Sequence, residues 1–399
     1  MEINVKCGLT EEFEFKKDLR FLIDSSAVKK VKLSLDAFAY PPLVNSHDHL
    51  VGNWYPKAGP NAPYINSHIW VNDMKLAESV KERSNFWRNN GDFNLANDEG
   101  AKTLALLGAY KNIFSGVGIV QDHIPRQEQA YYSFFPIRVI KEYRQCHSIT
   151  MGNWWGGKTP QEEMKLTKGR IPFIIHVGEG TDPRTKKEFS ELLDLGLVKD
   201  NILMVHCISL TRDELKKCAD LNASICWLPN SNHFLIGKTL DIYTCLELGV
   251  NVCLGTDSAL TGSKNLLSEI EYAHRMFPKI PAKTLFEMVT VNALKALKLS
   301  KNTLKMNSKT DKILLTDVLD DNPYENIPKL KMNNIQLLMT EGRPIYGDES
   351  LLRSFEVDTN EYHLFKSEGR KKFVYGHPEK LLKQIEDKLG YKKEFPYIP

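Results

Sequence analysis

The stretch VNSHDHLVGN (residues 44–53) follows the short apolar run PPLV and carries His47 and His49 two positions apart. In a β-strand, residues i and i+2 point to the same face, so both imidazoles would aim at one spot. Two such histidines at a strand end are either a packing feature or the first half of a metal site. The pair leaves both interpretations open, and the rest of the chain has to supply the remaining ligands.

Further short apolar runs alternate with longer amphipathic segments between about residues 43 and 300, which is typical of an α/β protein with parallel strands. Most of these runs carry apolar residues on both faces, as buried parallel strands do. The candidate strands after the first are SGVGIVQDH (115–123), RIPFIIHVG (170–178), NILMVHCISL (201–210), ASICWLP (223–229) and NVCLGTDS (251–258).

Polar side chains of reactive type stand at the C-terminal ends of these runs. In a (β/α)8 barrel these ends converge on one rim, where site residues gather, whereas an open doubly wound sheet spreads them along a line. A single cluster therefore favours a closed (β/α)8 TIM-type barrel. The residues concerned are His47, His49, His123, His176, Glu179, His206 and Asp257.

The two ends of the chain differ in pattern from its middle. Residues 1–42 and 305–350 contain strand-like stretches and predict a small β-sandwich domain built from both chain ends. Residues 43–304 predict the barrel between them, and residues 351–399, with PEKLLKQIEDKLG, predict a C-terminal helical extension. The stretch 124–170 is short for the third and fourth strand–helix units.

Bulk composition narrows the class of protein. A net charge of +3, from 53 basic and 50 acidic residues, gives no reason to expect nucleic acid or an anionic membrane as partner. Seven irregularly spaced cysteines without a CxxC motif predict reduced thiols, and the N-terminus lacks the layout of a signal peptide. We therefore expect a cytoplasmic protein that acts on a small molecule, with a homodimer left open.

Histidines and carboxylates that converge from several strands are the ligands of a divalent transition metal. After His47 and His49, the chain offers His176, His206 and Asp257 at three further strand ends. Four strand ends that each supply a His or Asp are hard to explain by packing. A structural zinc site is disfavoured, because such sites prefer closed, cysteine-rich sets.

The motifs PPLVNSHDHL, IIHVGEG, MVHCISL, CWLPNSNHFLIG and LGTDS, in this order, resemble the amidohydrolase superfamily. They are most similar to its cytosine deaminase, chlorohydrolase and nucleoside-type deaminase branch. The resemblance extends from about residue 40 to 300 and implies a (β/α)8 barrel flanked by a small β-sandwich, with a catalytic metal at the C-terminal rim.

The resemblance also implies roles for individual residues. His47, His49, His176 and Asp257 match the metal ligands, and Glu179 matches the glutamate that shuttles a proton in mononuclear deaminases. Asp257 would also accept a proton from water.

His206 matches a histidine beside the metal that positions or polarises water and substrate. Two-metal relatives use a modified lysine from the fourth strand, but Lys141 in IRVIKEYR reads as a surface residue of a helix. One divalent metal ion is therefore expected, zinc first and iron as the alternative.

Weaker candidates would contact the substrate. His123 ends the second strand, Asn232 and His233 belong to the PNSNH loop, and Trp70 lies where related deaminases carry a loop over the substrate ring. The pair Trp154–Trp155 could line a pocket for a flat molecule.

These features predict a metal-dependent hydrolase of C–N bonds that deaminates an aminated heterocycle. A divalent metal lowers the pKa of bound water toward neutrality. Glu179 favours deamination, because protonating a ring nitrogen calls for an acid beyond the metal carboxylate. The alternatives are cleavage of an amide, amidine or other leaving group at the same site, and a non-catalytic metal-binding barrel.

Overall fold

A computed structural model describes residues 1–88, 94–152 and 156–399. The predicted pocket residues Trp154 and Trp155 lie outside the described residues. No helix in the described part of the chain is both long and apolar enough to span a bilayer.

The strands alternate with helices through the middle of the chain and run consecutively at its two ends. In chain order the strands are β1 (Glu2–Leu9), β2 (Phe15–Ile23), β3 (Lys32–Tyr40), β4 (Leu43–Asp48), β5 (Val117–Asp122), β6 (Arg138–Val139), β7 (Arg144–Ser148), β8 (Phe173–Val177), β9 (Ile202–His206), β10 (Ser224–Trp227), β11 (Asn251–Leu254), β12 (Lys309–Thr310), β13 (Ile313–Thr316), β14 (Ile335–Thr340), β15 (Arg343–Asp348), β16 (Tyr362–Ser367) and β17 (Arg370–Tyr375).

The α-helices are mostly short, and several begin with a side-chain cap. They are α1 (Ser67–Asp73), α2 (Glu78–Arg83), α3 (Glu99–Ile113), α4 (Gln129–Ser133), α5 (Pro160–Leu166), α6 (Glu188–Asp194), α7 (Arg212–Asp220), α8 (Pro229–Ile236), α9 (Ile242–Glu247), α10 (Leu266–Met276), α11 (Ala282–Met288), α12 (Val291–Ala296), α13 (Pro323–Asn326), α14 (Glu349–Leu352) and α15 (Pro378–Leu389).

The two chain ends share one nine-stranded sheet with the order β12-β2-β1-β3-β13-β14-β15-β17-β16. The N-terminal β3 pairs antiparallel with the C-terminal β13, with Ala39 opposite Leu315. The prediction of strands from both ends is therefore correct. The predicted helical extension of residues 351–399 contains the expected helix, α15, but β16 and β17 continue this sheet before α15 begins at Pro378.

The middle of the chain supplies parallel strands in two sheets, β4-β5-β6 and β11-β10-β9-β8-β7. All residues of β4, β5, β8, β9 and β10 are buried, which explains why their sequences are apolar on both faces. The six strands predicted from the sequence are all present. The protein is an α/β protein with parallel strands, as predicted.

The region that was hard to interpret from sequence, 124–170, contains the two short strands β6 and β7 and the helices α4 and α5. Lys141 lies in the loop between β6 and β7 and is exposed, so its prediction as a helix residue is wrong and its prediction as a surface residue is correct. The run IRVIKEYR is strand and loop because neighbouring parallel strands outweigh its local helical pattern.

The end of β11 lies against β4, so the last and first parallel strands meet where the conspicuous polar residues stand. The backbone N–H groups of Thr256 and Asp257 donate to the carbonyl oxygen of His47, at 3.0 and 3.1 Å. Helix α3 packs closely behind this point. A Cβ on its Gly108 would lie 2.6 Å from the carbonyl oxygen of Leu50, so only glycine allows this approach.

Candidate active site and metal centre

Four histidines form a compact cluster at the ends of the parallel strands. One ring nitrogen from each of His47, His49, His123 and His176 lies within 4.8 Å of the others. His47 belongs to β4 and His176 to β8, while His49 and His123 directly follow β4 and β5. The cluster combines three of the four predicted metal ligands with His123, which the sequence placed at the substrate.

The cluster has the chemistry of a metal site. Both ring nitrogens of His47 are buried and have no hydrogen-bond partner among the described residues. Burial lowers the pKa of His47 and of His176 well below the ordinary value, so both imidazoles are neutral and keep a lone pair. A buried polar group without a partner is costly, and these residues fit a divalent metal ion.

A backbone hydrogen bond fixes the tautomer of His176. Its Nδ1 donates to the carbonyl oxygen of His147 at 2.9 Å, which leaves the lone pair on Nε2. The His147 ring lies 4.8 Å from the His176 ring and lines the cavity beside the cluster. Sequence analysis missed His147, whose one signal was its position near the end of the short strand β7.

Asp257 touches the cluster through His49, because its Oδ1 lies 3.5 Å from His49 Nε2. Its Oδ2 accepts hydrogen bonds from the hydroxyls of Ser231 and Thr261, at 2.7 and 3.0 Å. Burial alone would raise the pKa of Asp257, but His49, His206 and the Ser231 hydrogen bond lower it below the ordinary value. The carboxylate is thus ionised and oriented beside the histidines.

Glu179 and His206 form a second buried pair in the same cavity. His206 Nε2 lies 3.4 Å from Glu179 Oε1, and His206 Nδ1 donates to Asn232 Oδ1 at 2.7 Å. Burial raises the pKa of Glu179 to about 7, with the charge of Asp257 adding to the effect and His206 opposing it. A carboxyl group with this pKa exchanges protons readily at neutral pH.

Two of these residues hold unusual backbone conformations. His206 has φ 71° and Asp257 has φ 56°, in the left-handed region that non-glycine residues rarely adopt. Such strained residues concentrate at functional sites, where the surrounding structure holds them in place.

A cavity of about 320 Å³ opens beside the cluster. Its walls include Trp70 from α1, as well as Met74 and Trp87, which together provide an apolar surface for a flat ring. The Nε1 group of Trp70 donates to the carbonyl oxygen of Ala58, which orients the indole.

The other predicted substrate contacts lie elsewhere. Neither His123 nor His233 is among the described residues that line this cavity. The Nδ1 atom of His233 instead pairs with the hydroxyl of Tyr272 at 2.8 Å, and its role as a substrate contact stays a prediction. Its neighbour on α8, Asn232, accepts a hydrogen bond from His206.

Sequence analysis also missed a buried lysine beneath the site. The ammonium group of Lys111 donates to Asp48 Oδ1 at 3.2 Å, to Asn53 Oδ1 at 2.8 Å and to the carbonyl oxygen of Asp257 at 2.7 Å. Asp48 lies between His47 and His49. The lysine therefore connects the two segments that carry proposed metal ligands, β4 and the residues after β11.

The molecule is thus an α/β protein with a histidine-rich candidate metal centre and an acid–base pair in one cavity. Residues 171–345 match the model of the amidohydrolase family. The resemblance inferred from the motifs is confirmed.

Curated relatives include deaminases. A 5-methylthioadenosine/S-adenosylhomocysteine deaminase of Thermococcus sibiricus is 32% identical over 158 residues, which cover 36% of this chain and 37% of that protein. The chain therefore spans little more than a third of the length of the first curated relatives that it matches. The deaminase of the same description from Clostridium tetani is 23% identical over 73% of this chain and 74% of its own length.

Solved structures share the fold. A mutant of atrazine chlorohydrolase TrzN from Arthrobacter aurescens TC1, complexed with zinc and atraton, superposes with a TM-score of 0.69 at 14% identity. The superposition covers 97% of this chain and 99% of that chain.

Proposed function

We propose that this protein is a metal-dependent hydrolase that deaminates an aminated heterocycle. The observation that carries the proposal is the buried Glu179–His206 pair in the same cavity as the histidine cluster. In metal-assisted hydrolysis of an amide, the carboxylate at the metal can serve as the acid. Deamination calls for a second acid that can protonate a ring nitrogen. The names of the deaminase relatives support the same reaction class.

His47, His49, His176 and Asp257 would hold one divalent ion, with zinc ahead of iron. When bound, the ion supplies the Lewis acidity that makes water a nucleophile at neutral pH. His123 lies close enough to the other histidines to be an additional ligand or a neighbour that orients them.

The chain's own residues handle the protons. Water forms a bond to the carbon that bears the amino group, and the C–N bond breaks to release ammonia. Glu179 carries one proton of the water to the adjacent ring nitrogen, and Asp257 passes the other to the departing amine. His206, held by Asn232, stabilises the charge that develops on the attacking oxygen.

The alternative is hydrolysis of an amide, amidine or other leaving group by the same residues. The chlorohydrolase among the structural relatives shows that this fold is compatible with a leaving group other than ammonia. Glu179 and its pKa favour the deaminase.

Ammonia release from zinc-loaded protein tests the proposal, with aminated purines, pyrimidines, pterins and triazines as substrates. We expect Glu179→Gln to lower the rate by about 10²- to 10⁴-fold while the zinc content stays the same. If well-folded, zinc-loaded wild-type protein released no ammonia from any of these aminated rings, the proposal of deamination would be overturned. An unaffected Glu179→Gln variant would remove Glu179 from the mechanism.

For the fold, we propose that the parallel strands of residues 43–304 close into a (β/α)8 barrel with the site at its C-terminal rim. The hydrogen bonds from Thr256 and Asp257 to His47, which join the last and first strands, support this closure. The small β-sandwich of residues 1–42 and 305–350, the cytoplasmic location and the homodimer stay predictions.

A further inference from the structure

Three cationic side chains line the cavity in addition to the proposed catalytic residues. They are Lys75, Arg83 and Arg88. The ion pairs found among the described residues include none of these three side chains. Among the described residues, the cavity therefore combines the two carboxylates Glu179 and Asp257 with three cationic side chains that have no ion-pair partner.

Arg83, at the end of α2, is the most enclosed of the three. One guanidinium nitrogen donates to the carbonyl oxygen of Val51 at 3.2 Å, two residues beyond His49. Its Nε is buried and has no hydrogen-bond partner among the described residues. Burial lowers the pKa of Arg83 to about 10, so the group is still a cation at neutral pH.

The carboxylate nearest to Arg83 in sequence is already engaged. Glu82 accepts a hydrogen bond from Trp54 Nε1 at 2.7 Å and pairs with Lys393 Nζ at 2.6 Å. The two carboxylates in the cavity also have partners, since Glu179 faces His206 and Asp257 faces His49. Arg83 therefore keeps its hydrogen-bonding capacity for something that enters the cavity.

We propose that the substrate carries an anionic group, a carboxylate or a phosphate, and that Arg83 binds this group while the aminated ring reaches the histidine cluster. A partly buried cation is costly unless it is paired, and a guanidinium presents a planar fork that matches either anion. Lys75 and Arg88 add positive charge around the same opening. This inference rests on the proposed function and narrows its substrate class.

Three probes with one aminated ring separate the possibilities: adenosine, adenosine 5′-monophosphate and adenosine 5′-carboxylate. Their binding to the zinc-loaded full chain is measured by calorimetry, and their ammonia release is measured in parallel. We expect at least one anionic probe to bind about 10-fold or more tightly than adenosine. The anionic probe whose affinity exceeds that of adenosine by the larger factor identifies the anionic group that the cavity binds.

Arg83→Gln should weaken binding of the favoured anionic probe by about 10- to 100-fold more than it weakens binding of adenosine. Arg83→Lys, which keeps the charge without the fork, should lose part of the preference and guards against loss of folding in the glutamine variant. Arg126→Gln, at an exposed arginine paired with Glu142, is the matched control and should change nothing.

Equal binding of neutral and anionic probes by wild type, or an anion preference that survives Arg83→Gln, would overturn the inference. The proposed function fails differently. A preserved anion preference without ammonia from any of the three probes or other aminated rings would overturn deamination and leave the anion subsite standing.

Discussion

The side chain of Lys111 forms hydrogen bonds with both segments that carry proposed metal ligands, through Asp48 and the carbonyl oxygen of Asp257. It is fully buried, and burial lowers its pKa while Asp48 opposes that change. A buried ion pair that loses one partner leaves an uncompensated charge in the interior. Its hydrogen bond to the Asp257 carbonyl couples this charge to the candidate metal site.

Lys111→Met should therefore reduce the free energy of unfolding by about 3–5 kcal/mol, because Asp48 stays buried without its cation. It should also lower the zinc content of the purified protein. Urea denaturation and elemental analysis measure the two effects. Lys102→Met, on the exposed side of the same helix, should change stability by less than about 0.5 kcal/mol. Equal losses in the two variants would contradict the role of Lys111.

Asn232 accepts a hydrogen bond from the Nδ1 of His206. Asn232→Leu keeps the approximate shape and removes the acceptor, so the imidazole loses the partner that fixes its tautomer. We expect kcat to fall about 10- to 100-fold with little change in KM. Steady-state kinetics of ammonia release measure both constants. A change confined to KM would show that Asn232 serves substrate binding instead.

The C-terminal segment after α15 packs against the loop that follows His49 and stabilises it. Tyr397 is fully buried and donates from its hydroxyl to the carbonyl oxygen of Asn53, while Phe395 packs on Trp54. Lys393 reaches Glu82 on α2. Elements that are distant in sequence thus hold one wall of the cavity.

Tyr397→Ala should cost about 3–5 kcal/mol of unfolding free energy, since it removes a large buried aromatic side chain. Tyr391 in the same segment is 50% exposed, so Tyr391→Ala should cost no more than about 0.5 kcal/mol. Denaturant titration of both variants measures the difference. Two small and equal effects would mean that the segment does not stabilise the fold.

Parallel strands were predictable because their burial on both faces leaves continuous apolar runs, as in β8 and β9. The strands β6 and β7 were not, since β6 has only two residues and β7, with the sequence RQCHS, is mostly polar. The sequence pattern also did not predict β16 and β17, for a related reason. Two alternate residues of β16, Leu364 and Lys366, face solvent, and such exposed positions resemble a surface tail.

For the whole molecule, zinc should stabilise the folded state because its ligands converge only there. We expect zinc in excess to raise the melting temperature of metal-free protein by several degrees, since occupancy at 100 times Kd is worth about 2.7 kcal/mol. Differential scanning calorimetry with and without a chelator measures the shift.

His47→Asn should abolish the zinc-dependent shift, since it removes a ligand with no other partner among the described residues. His363→Asn, at a partly exposed histidine paired with Glu379, should keep the full shift. If both variants kept the full shift, the proposed ligand set would be contradicted.

The sequence by itself determined the α/β class, the strand ends at which His47, His49, His176, His206 and Asp257 lie, and the resemblance to the amidohydrolase family. Strand patterns and short motifs are local, and a local pattern places a residue at the end of its own strand. Only the tertiary structure placed His147 beside the histidine cluster, Lys111 beneath it and Arg83 in the cavity wall. Each of these contacts joins segments far apart in the chain. Convergence of that kind depends on how the elements pack, which no local pattern records.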